Sequence, residues 1–467
     1  MTLTKALVDV PAYLCSKWQT SRMLQAAAWS TSLFIVGQIL RIAANLIVTR
    51  LLVPEMFGLI SIVLIIQTML VMLCDIGLLP IVMRSKRGDD EDFLNTVWTV
   101  QIVRGVGIWI AGLLVAASLL VAGNAGLLPQ NSVWHAPQLP AVMAVSIFTA
   151  VIGGLQSTKV LTAYRQMNVR QIALLDFATQ LANMATMIMV AWSTRSVWSL
   201  VAAAFVSAVV STLLSHFWLP GPDNRLAWDR ATLREIYGAG GWILLASLAF
   251  VASVNADRLL MAGYIDATTL GLYAIAFNLI AVVEVLGQRL VGSVLQPALN
   301  EAGRISASAM RATLHAQRLV FDTCYLFMGG MLFALAPTLV AIMYDDRYAQ
   351  AGHILQVLSC LLIFSRYNFI IGSVYTALGK PHLMAALGVI KLVSILVLLP
   401  LGYHFYGFEG ALIAIVLHQL PCIFVIFWIN QSFNLNNMGL ELKVLPGWLA
   451  GYGLGLMTLG IWRLVHR

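Results

Sequence analysis

"NLIVTRLLVPEMFGLISIVL", residues 45–64, and "NADRLLMAGYIDATTLGLYAIAF", residues 255–277, decide the fold between them. In each, an apolar run ends in Arg-Leu-Leu (Arg50, Arg258), crosses a turn containing Pro or Asp and Thr, and re-enters an apolar run through Gly-Leu (Gly58, Gly271). The flanking runs are apolar all round over some 20 residues, which suits a helix in lipid and not the ~10-residue alternating strand of a membrane barrel.

The rest of the chain obeys the same rule. Of 467 residues, 60% are hydrophobic and 10% charged, against roughly 25% charged in an ordinary soluble domain. Runs long enough to cross a hydrocarbon core of ~30 Å lie near 25–49, 57–83, 96–122, 138–158, 170–192, 196–219, 236–259, 268–290, 316–343, 352–378, 383–402, 407–430 and 443–463. The expected fold class is an all-α polytopic membrane protein of about 12–14 transmembrane helices. Arg50 ends the first run and Arg258 the seventh, so the repeat unit is six spans and both copies share one orientation. Two six-helix bundles related by a parallel pseudo-two-fold are therefore expected. Their bounds are 25–219 and 236–431, with a cytoplasmic N-terminal segment 1–24, a cytoplasmic linker 220–235 and an additional C-terminal helix 443–463.

Orientation follows from the basic residues, because short loops rich in Lys and Arg stay in the cytoplasm. With the N-terminus inside, eighteen of the 28 Lys and Arg fall on cytoplasmic segments and five outside (Arg50, Arg195, Arg347, Arg463, Arg467). Thirteen spans then leave the C-terminus outside. The same bias accounts for the net charge of +8: the basic loops at 159–170 and 225–234 abut span ends and meet anionic lipid headgroups, so no nucleic-acid partner is expected. Residues 1–24 lack an apolar core followed by a small-residue cleavage site, so the first span is expected to direct insertion. The five cysteines (Cys15, Cys74, Cys324, Cys360, Cys422) lie in spans or on the cytoplasmic side, and suggest neither a disulfide framework nor a metal site.

The stretches "RLLVPEMFGLISIVLIIQTMLVMLCDIGLLPIVMRSK", "DDEDFLNTVWTV", "NADRLLMAGYIDATTLGLYAIAFNL", "YDDRYAQAGHILQVLS" and "YTALGKPHLM" resemble the polysaccharide-transport (Wzx-like) proteins of the multidrug/oligosaccharidyl-lipid/polysaccharide (MOP) flippase superfamily. The resemblance covers about residues 20–430 and implies a flippase of the bacterial inner membrane. Such a protein moves undecaprenyl-pyrophosphate-linked oligosaccharide from the cytoplasmic to the periplasmic leaflet by alternating access, without ATP and without a cofactor other than a coupling ion, H⁺ or Na⁺. With an internal two-fold the chain needs no partner subunit to form a pathway, so a functional monomer is expected, and a polysaccharide polymerase is its candidate docking partner. The alternative within the superfamily is an ion-coupled exporter of drugs or small metabolites.

A cargo with a diphosphate needs cations and hydrogen-bonding groups inside the spans, where a charge costs roughly 2.5–3.5 kcal/mol on insertion scales. Gln38, Arg41 and Asn45 stand at i, i+3 and i+7 and share one helix face. At the matching positions of the second copy stand Ala246, Ala249 and Ser253, so the polar stripe belongs to one copy only. Arg104, Arg366 and Lys391 are the other candidate cations, each with pairing to an intramembrane acid as its alternative role. Glu284 and Asp176 are the candidate ion-coupling acids, with neutralisation of Arg104 or Lys391 as theirs. Arg50 and Arg258 read as headgroup anchors at span ends, with Asp257 a possible partner of Arg258.

Catalytic readings fail. "GSVYTALGK" has the wrong glycine spacing for a phosphate loop, and no Ser or Thr follows Lys380. Asp345 and Asp346 in "YDDRY" lack the large extramembrane loops that shape a sugar-transferring site. His315, His353, His382 and His418 show no i, i+4 pairing, so no metal site is expected.

Overall fold

A computed structural model describes residues 22–465 apart from 76 and 381. Most of the expected N-terminal segment, Cys15 included, lies outside the described residues, as do the side chains of Ala246 and Ala249. Among the described residues no strand occurs. In chain order the helices are α1 Arg22–Leu51, α2 Pro54–Leu73, α3 Leu78–Arg84, α4 Glu91–Asn124, α5 Leu139–Ile147, α6 Thr149–Gly154, α7 Lys159–Arg165, α8 Val169–Thr194 and α9 Trp198–Phe217. There follow α10 Arg230–Met261, α11 Ala267–Leu290, α12 Gln296–Ile305, α13 Ala307–Met343, α14 Ala349–Ser359, α15 Leu361–Ala377, α16 His382–Leu417, α17 Leu420–Ser432 and α18 Met438–Val465.

Every interval expected to span falls on helix. Eight helical segments among the described residues are long and apolar enough to cross a membrane, and ten if two bent pairs each count as one. The chain is a multi-pass membrane protein. Within the expected runs the backbone breaks at several places. The run 57–83 stops at Leu73 because Asp75 accepts the backbone N–H of Gly77, which sits in the left-handed region at φ 70°. The run 138–158 bends by 65° before α7, and 352–378 bends by 50° between α14 and α15. The runs 383–402 and 407–430 join at a kink at Tyr406 and Gly407, where the Gly407 φ of 59° favours glycine, and the second run turns again at His418 and Gln419. Large apolar side chains such as Trp192, Phe217, Phe405, Phe424 and Trp428 are exposed, as lipid-facing surfaces require.

Packing divides the chain differently from the sequence halves. One compact unit holds 1–52, 73–116 and 141–244; the other holds 53–72, 117–140 and 245–467. In the first, Gln180 of α8 donates to the Gly37 carbonyl of α1 at 2.7 Å. Its loop end is tightly tied. The expected linker lies along the start of α4, where Asn95, Thr96 and Thr99 accept the backbone N–H groups of Arg225, Asp229 and Ala227 at 2.8, 3.1 and 3.1 Å. Arg165 donates to the carbonyls of Val82 and Ser85 at 2.6 and 2.7 Å, closing the end of α3. Arg87 reaches Asp229 at 3.2 Å. The Thr232 hydroxyl, the N–H groups of Ala231 and Thr232, and Arg87 hold the Asp229 carboxyl well below the usual range.

In the second unit, α2 and α11 cross at their first turns. A Cβ on Gly58 would lie 2.0 Å from the Ala267 carbonyl oxygen, and one on Gly271 1.8 Å from that of Pro54. The contact is reciprocal: the echoed glycines of the two sequence copies meet each other. The C-terminal helix is equally integral. Gly447, Gly451 and Gly455 of α18 lie against Thr323, Phe327 and Ala334 of α13, close enough that a Cβ would fall 2.9, 2.0 and 2.6 Å from their atoms. In lipid, where apolar surface gains nothing from association, such close backbone approach supplies the packing energy.

Candidate functional site

The cations that the sequence sets inside spans separate into those with a carboxylate and those without. Arg104 of α4 pairs with Asp75 at 3.2 Å, and the same oxygen accepts from Gly77. Arg366 of α15 is buried and pairs with Asp322 at 2.8 Å and Glu441 at 3.1 Å. Arg318, one turn before Asp322 on α13, pairs with the same two acids at 3.0 and 2.7 Å. Tyr367 donates to Glu441 at 2.6 Å while its ring lies 4.2 Å from the Arg366 guanidinium. Two cations thus meet two acids, with Glu441 brought in by the C-terminal helix. The pairing role holds for Arg104 and Arg366, but with Asp75, Asp322 and Glu441, not with Asp176 or Glu284.

Arg41 differs. It is exposed on α1 beside half-buried Gln38 and Asn45 on the same face, and no described carboxylate lies within ion-pair distance. Asp176, on α8 of the same unit, is exposed and likewise without an ion pair among the described residues. Arg41 keeps Gln38 and Asn45 beside it, and among the described residues neither Arg41 nor Asp176 is paired with Arg104, Arg366, Lys391 or Glu284.

Lys391 and Glu284 share a cavity of about 140 Å³ within the second unit. Asp257, Ser365, Asn368, His418 and Gln419 also line it. Asn368 donates to Gln419 at 2.8 Å, and Ser365 bonds the Tyr325 hydroxyl at 3.1 Å. Asp257 accepts the hydroxyl of fully buried Tyr273 through one oxygen, and its other oxygen is buried without a partner. Two carboxylates, an ammonium, an imidazole and three amides, Gln288 included, in one small space can bind, hold and exchange a cation or a proton.

Arg258 is, with Arg50, one of the two residues expected at the headgroups. It turns instead into a cavity of about 220 Å³ between α2, α10 and α11, its guanidinium 3.9 Å from the Phe277 ring centroid. Asp257 is not its partner, because neighbouring positions on a helix face different directions. The signal available in the sequence was Asn255, at i−3 from Arg258, with Asn278 in the next span.

A family model described as "Polysaccharide biosynthesis protein" matches residues 47–348. Among curated protein sequences none matches. The chain is similar in structure to the lipid II flippase MurJ in an inward closed conformation (TM-score 0.66, 12% identity, covering 94% of this chain and 99% of that one). It is also similar to a multidrug resistance MATE family transporter of the MOP superfamily in an inward-facing conformation (TM-score 0.64, 15% identity, 85% and 94% covered). A third likeness is to a MOP superfamily transporter from Pyrococcus furiosus with a binding pocket of reverse polarity (TM-score 0.51, 14% identity, 93% and 95% covered). At these identities the likeness is one of fold: the chain has the MOP transporter fold.

Proposed function

The chain belongs to the polysaccharide biosynthesis protein family, and on that premise we propose that it is a flippase moving undecaprenyl-pyrophosphate-linked oligosaccharide across the bacterial inner membrane, with its N-terminus in the cytoplasm. The observation that carries the reading is Arg41. Of the span arginines, Arg104, Arg318 and Arg366 already have acids, whereas Arg41 has none among the described residues and shares its face with Gln38 and Asn45. A guanidinium in that position offers a fork to two phosphate oxygens. The amides beside it add donors and acceptors for the first sugar. Alternating exposure of this face, with the polyprenyl chain left in lipid, moves the polar end without breaking any bond.

Coupling belongs to the cavity of Lys391 and Glu284. Loading and release of H⁺ or Na⁺ there changes the charge among Asp257, Glu284 and Lys391, which biases one packing of the second unit over another. Polymerase docking and action as a monomer complete the reading.

The test is surface glycan measured beside membrane abundance in cells whose only copy is the variant. Arg41→Ala abolishes export at normal abundance, and Arg41→Lys restores it partly, since Lys offers a point charge where Arg offers a fork. Normal export by well-expressed Arg41→Ala removes Arg41 from the pathway. Unchanged glycan but raised drug sensitivity in cells lacking the protein would favour the small-molecule exporter.

A further inference from the structure

We propose that Ser365 and Tyr325 are positioning residues for Glu284 and form a hydroxyl switch, which registers whether that carboxyl carries a proton and passes its state to α13 and α15. Glu284 of α11 and Ser365 of α15 line the same cavity of about 140 Å³, and the Ser365 hydroxyl lies within hydrogen-bonding reach of the carboxyl. The same hydroxyl is 3.1 Å from that of Tyr325 on α13. Three helices thus meet at one chain of polar atoms, with both hydroxyl residues buried. The phenol is held in place. Its ring stacks on Phe321 with centroids 5.6 Å apart and meets Phe369 edge-on at 6.0 Å, and a Cβ on Gly287 would fall 2.8 Å from it. Only the hydroxyl hydrogens are left to turn.

The carboxyl sets the direction of both hydrogen bonds. An ionised carboxylate only accepts, so Ser365 donates to Glu284 and accepts the Tyr325 O–H. A protonated carboxyl also donates, so Ser365 accepts from Glu284 and turns its own O–H toward Tyr325. The arriving proton bonds to the carboxylate and goes no further; Ser365 and Tyr325 each keep theirs. In the loaded state the Tyr325 O–H has lost its acceptor in a buried place, and a buried donor without a partner is costly enough to shift packing. The charges that act on Glu284 are Asp257 and Arg258 of α10 and Lys391 of α16, and His418, between α16 and α17, lines the same cavity. Two acids stand against two cations there, and one proton tips the balance to positive. Ser365 precedes Arg366, and Tyr325 lies one turn after Asp322, so the switch abuts the 2.8 Å pair that ties α15 to α13. Through Glu441, at 3.1 Å from Arg366, the same tie extends to α18.

This inference rests on the reading of Glu284 as the acid that loads the coupling ion, and the experiment separates the two. Infrared spectra of the purified full-length protein are recorded across about pH 4–9, where buried carboxyls titrate. The C=O band that is lost in Glu284→Gln follows the protonation of Glu284. The phenol C–O band that is lost in Tyr325→Phe moves with the same midpoint, because the phenol changes from donor to acceptor. Ser365→Ala displaces the Glu284 midpoint by about one pH unit in favour of the protonated form, since a donor to the carboxylate is gone, and leaves the phenol band indifferent to pH. Tyr325→Phe displaces the midpoint less and adds nothing in the Ser365→Ala background, because it acts through Ser365. Ser365→Thr keeps the hydroxyl and restores the phenol response. Thr376→Ala, on the same helix with its hydroxyl bonded to the Gly372 carbonyl at 2.7 Å, changes neither band. If Ser365→Ala does not yield folded protein, Tyr325→Phe decides by its own displacement of the midpoint. A Glu284 band that does not titrate, a wild-type phenol band that ignores pH, or a Glu284 midpoint unchanged in Ser365→Ala or Tyr325→Phe overturns the switch. Reconstituted protein is assayed alongside for movement of undecaprenyl-diphosphate-linked saccharide under a pH gradient. Movement that fails, or that is indifferent to Glu284→Gln, while both bands behave as stated, overturns the coupling reading and leaves the switch standing.

Discussion

Arg366 lies buried between Asp322 and Glu441, and its charge is matched so closely that removing one member strands another. Breaking a buried pair costs about 3–5 kcal/mol, a large part of the ~5–15 kcal/mol that holds an ordinary domain together. Arg366→Ala or Glu441→Ala therefore lowers membrane abundance, read by immunoblot, and glycan export falls in proportion. The double variant Arg366→Met with Glu441→Met leaves Arg318 matched to Asp322 and recovers abundance above either single variant. Single variants at wild-type abundance would mean that the cluster is wet and unimportant to folding. The sequence displays part of this arrangement: Arg318 and Asp322 stand at i, i+4, the spacing of a helical ion pair. Arg366 and Glu441 are 75 positions apart, and no periodicity links them. For the same reason the four candidate cations could not be sorted before folding; whether a charge inside a span faces cargo or an acid depends on which helix stands next to it.

The α2–α11 crossing carries the prediction at the scale of elements. The two glycines are visible in the sequence as an echo, which predicts a repeat but not that the copies touch. Contact arises because each helix presents its first-turn carbonyl to the other's glycine, and a side chain at either place has no room. Gly271→Ala forces the two helices apart, since the obstruction is backbone that cannot swing away. The expected result is faster modification of a cysteine at Ser61→Cys by a membrane-impermeant thiol reagent added from outside. Gly292→Ala, whose Cβ meets nothing within 4 Å, serves as the control. Unchanged labelling and unchanged export would mean that the crossing need not close for the cycle to run. Other elements were less legible than this one. The stop after Leu73 and the left-handed Gly407 break runs that hydropathy alone reads as continuous or divides elsewhere. A single turn of backbone changes the path without changing the average apolarity.

For the whole molecule, the basic residues give an expected orientation, and loop contacts show which loops lie together. Composition and length make the membrane class plain, and from the excess of Lys and Arg on alternate loops those loops are expected in the cytoplasm. The structure groups the loops independently of that excess. Arg87 is bonded to Asp229 at 3.2 Å, so the loops after α3 and before α10 share one face. Val133 donates to the carbonyls of Ala262 and Ile265 at 3.0 and 3.2 Å, so the loop after α4 and the turn after α10 share another. Reporters fused after Lys86 and after Arg230 therefore behave alike, as cytoplasmic, and one near Asn131 behaves as periplasmic. The last helix extends the argument to the C-terminus. Gly447, Gly451 and Gly455 meet Thr323, Phe327 and Ala334 in rising order on both helices, so α18 runs parallel to α13. If α13 leaves the cytoplasm after the basic stretch that ends at Arg318, α18 leaves it as well, and a C-terminal reporter is periplasmic. A cytoplasmic C-terminal reporter together with a cytoplasmic Lys86 reporter would contradict the parallel packing of α13 and α18, and with it the delivery of Glu441 to the buried arginines.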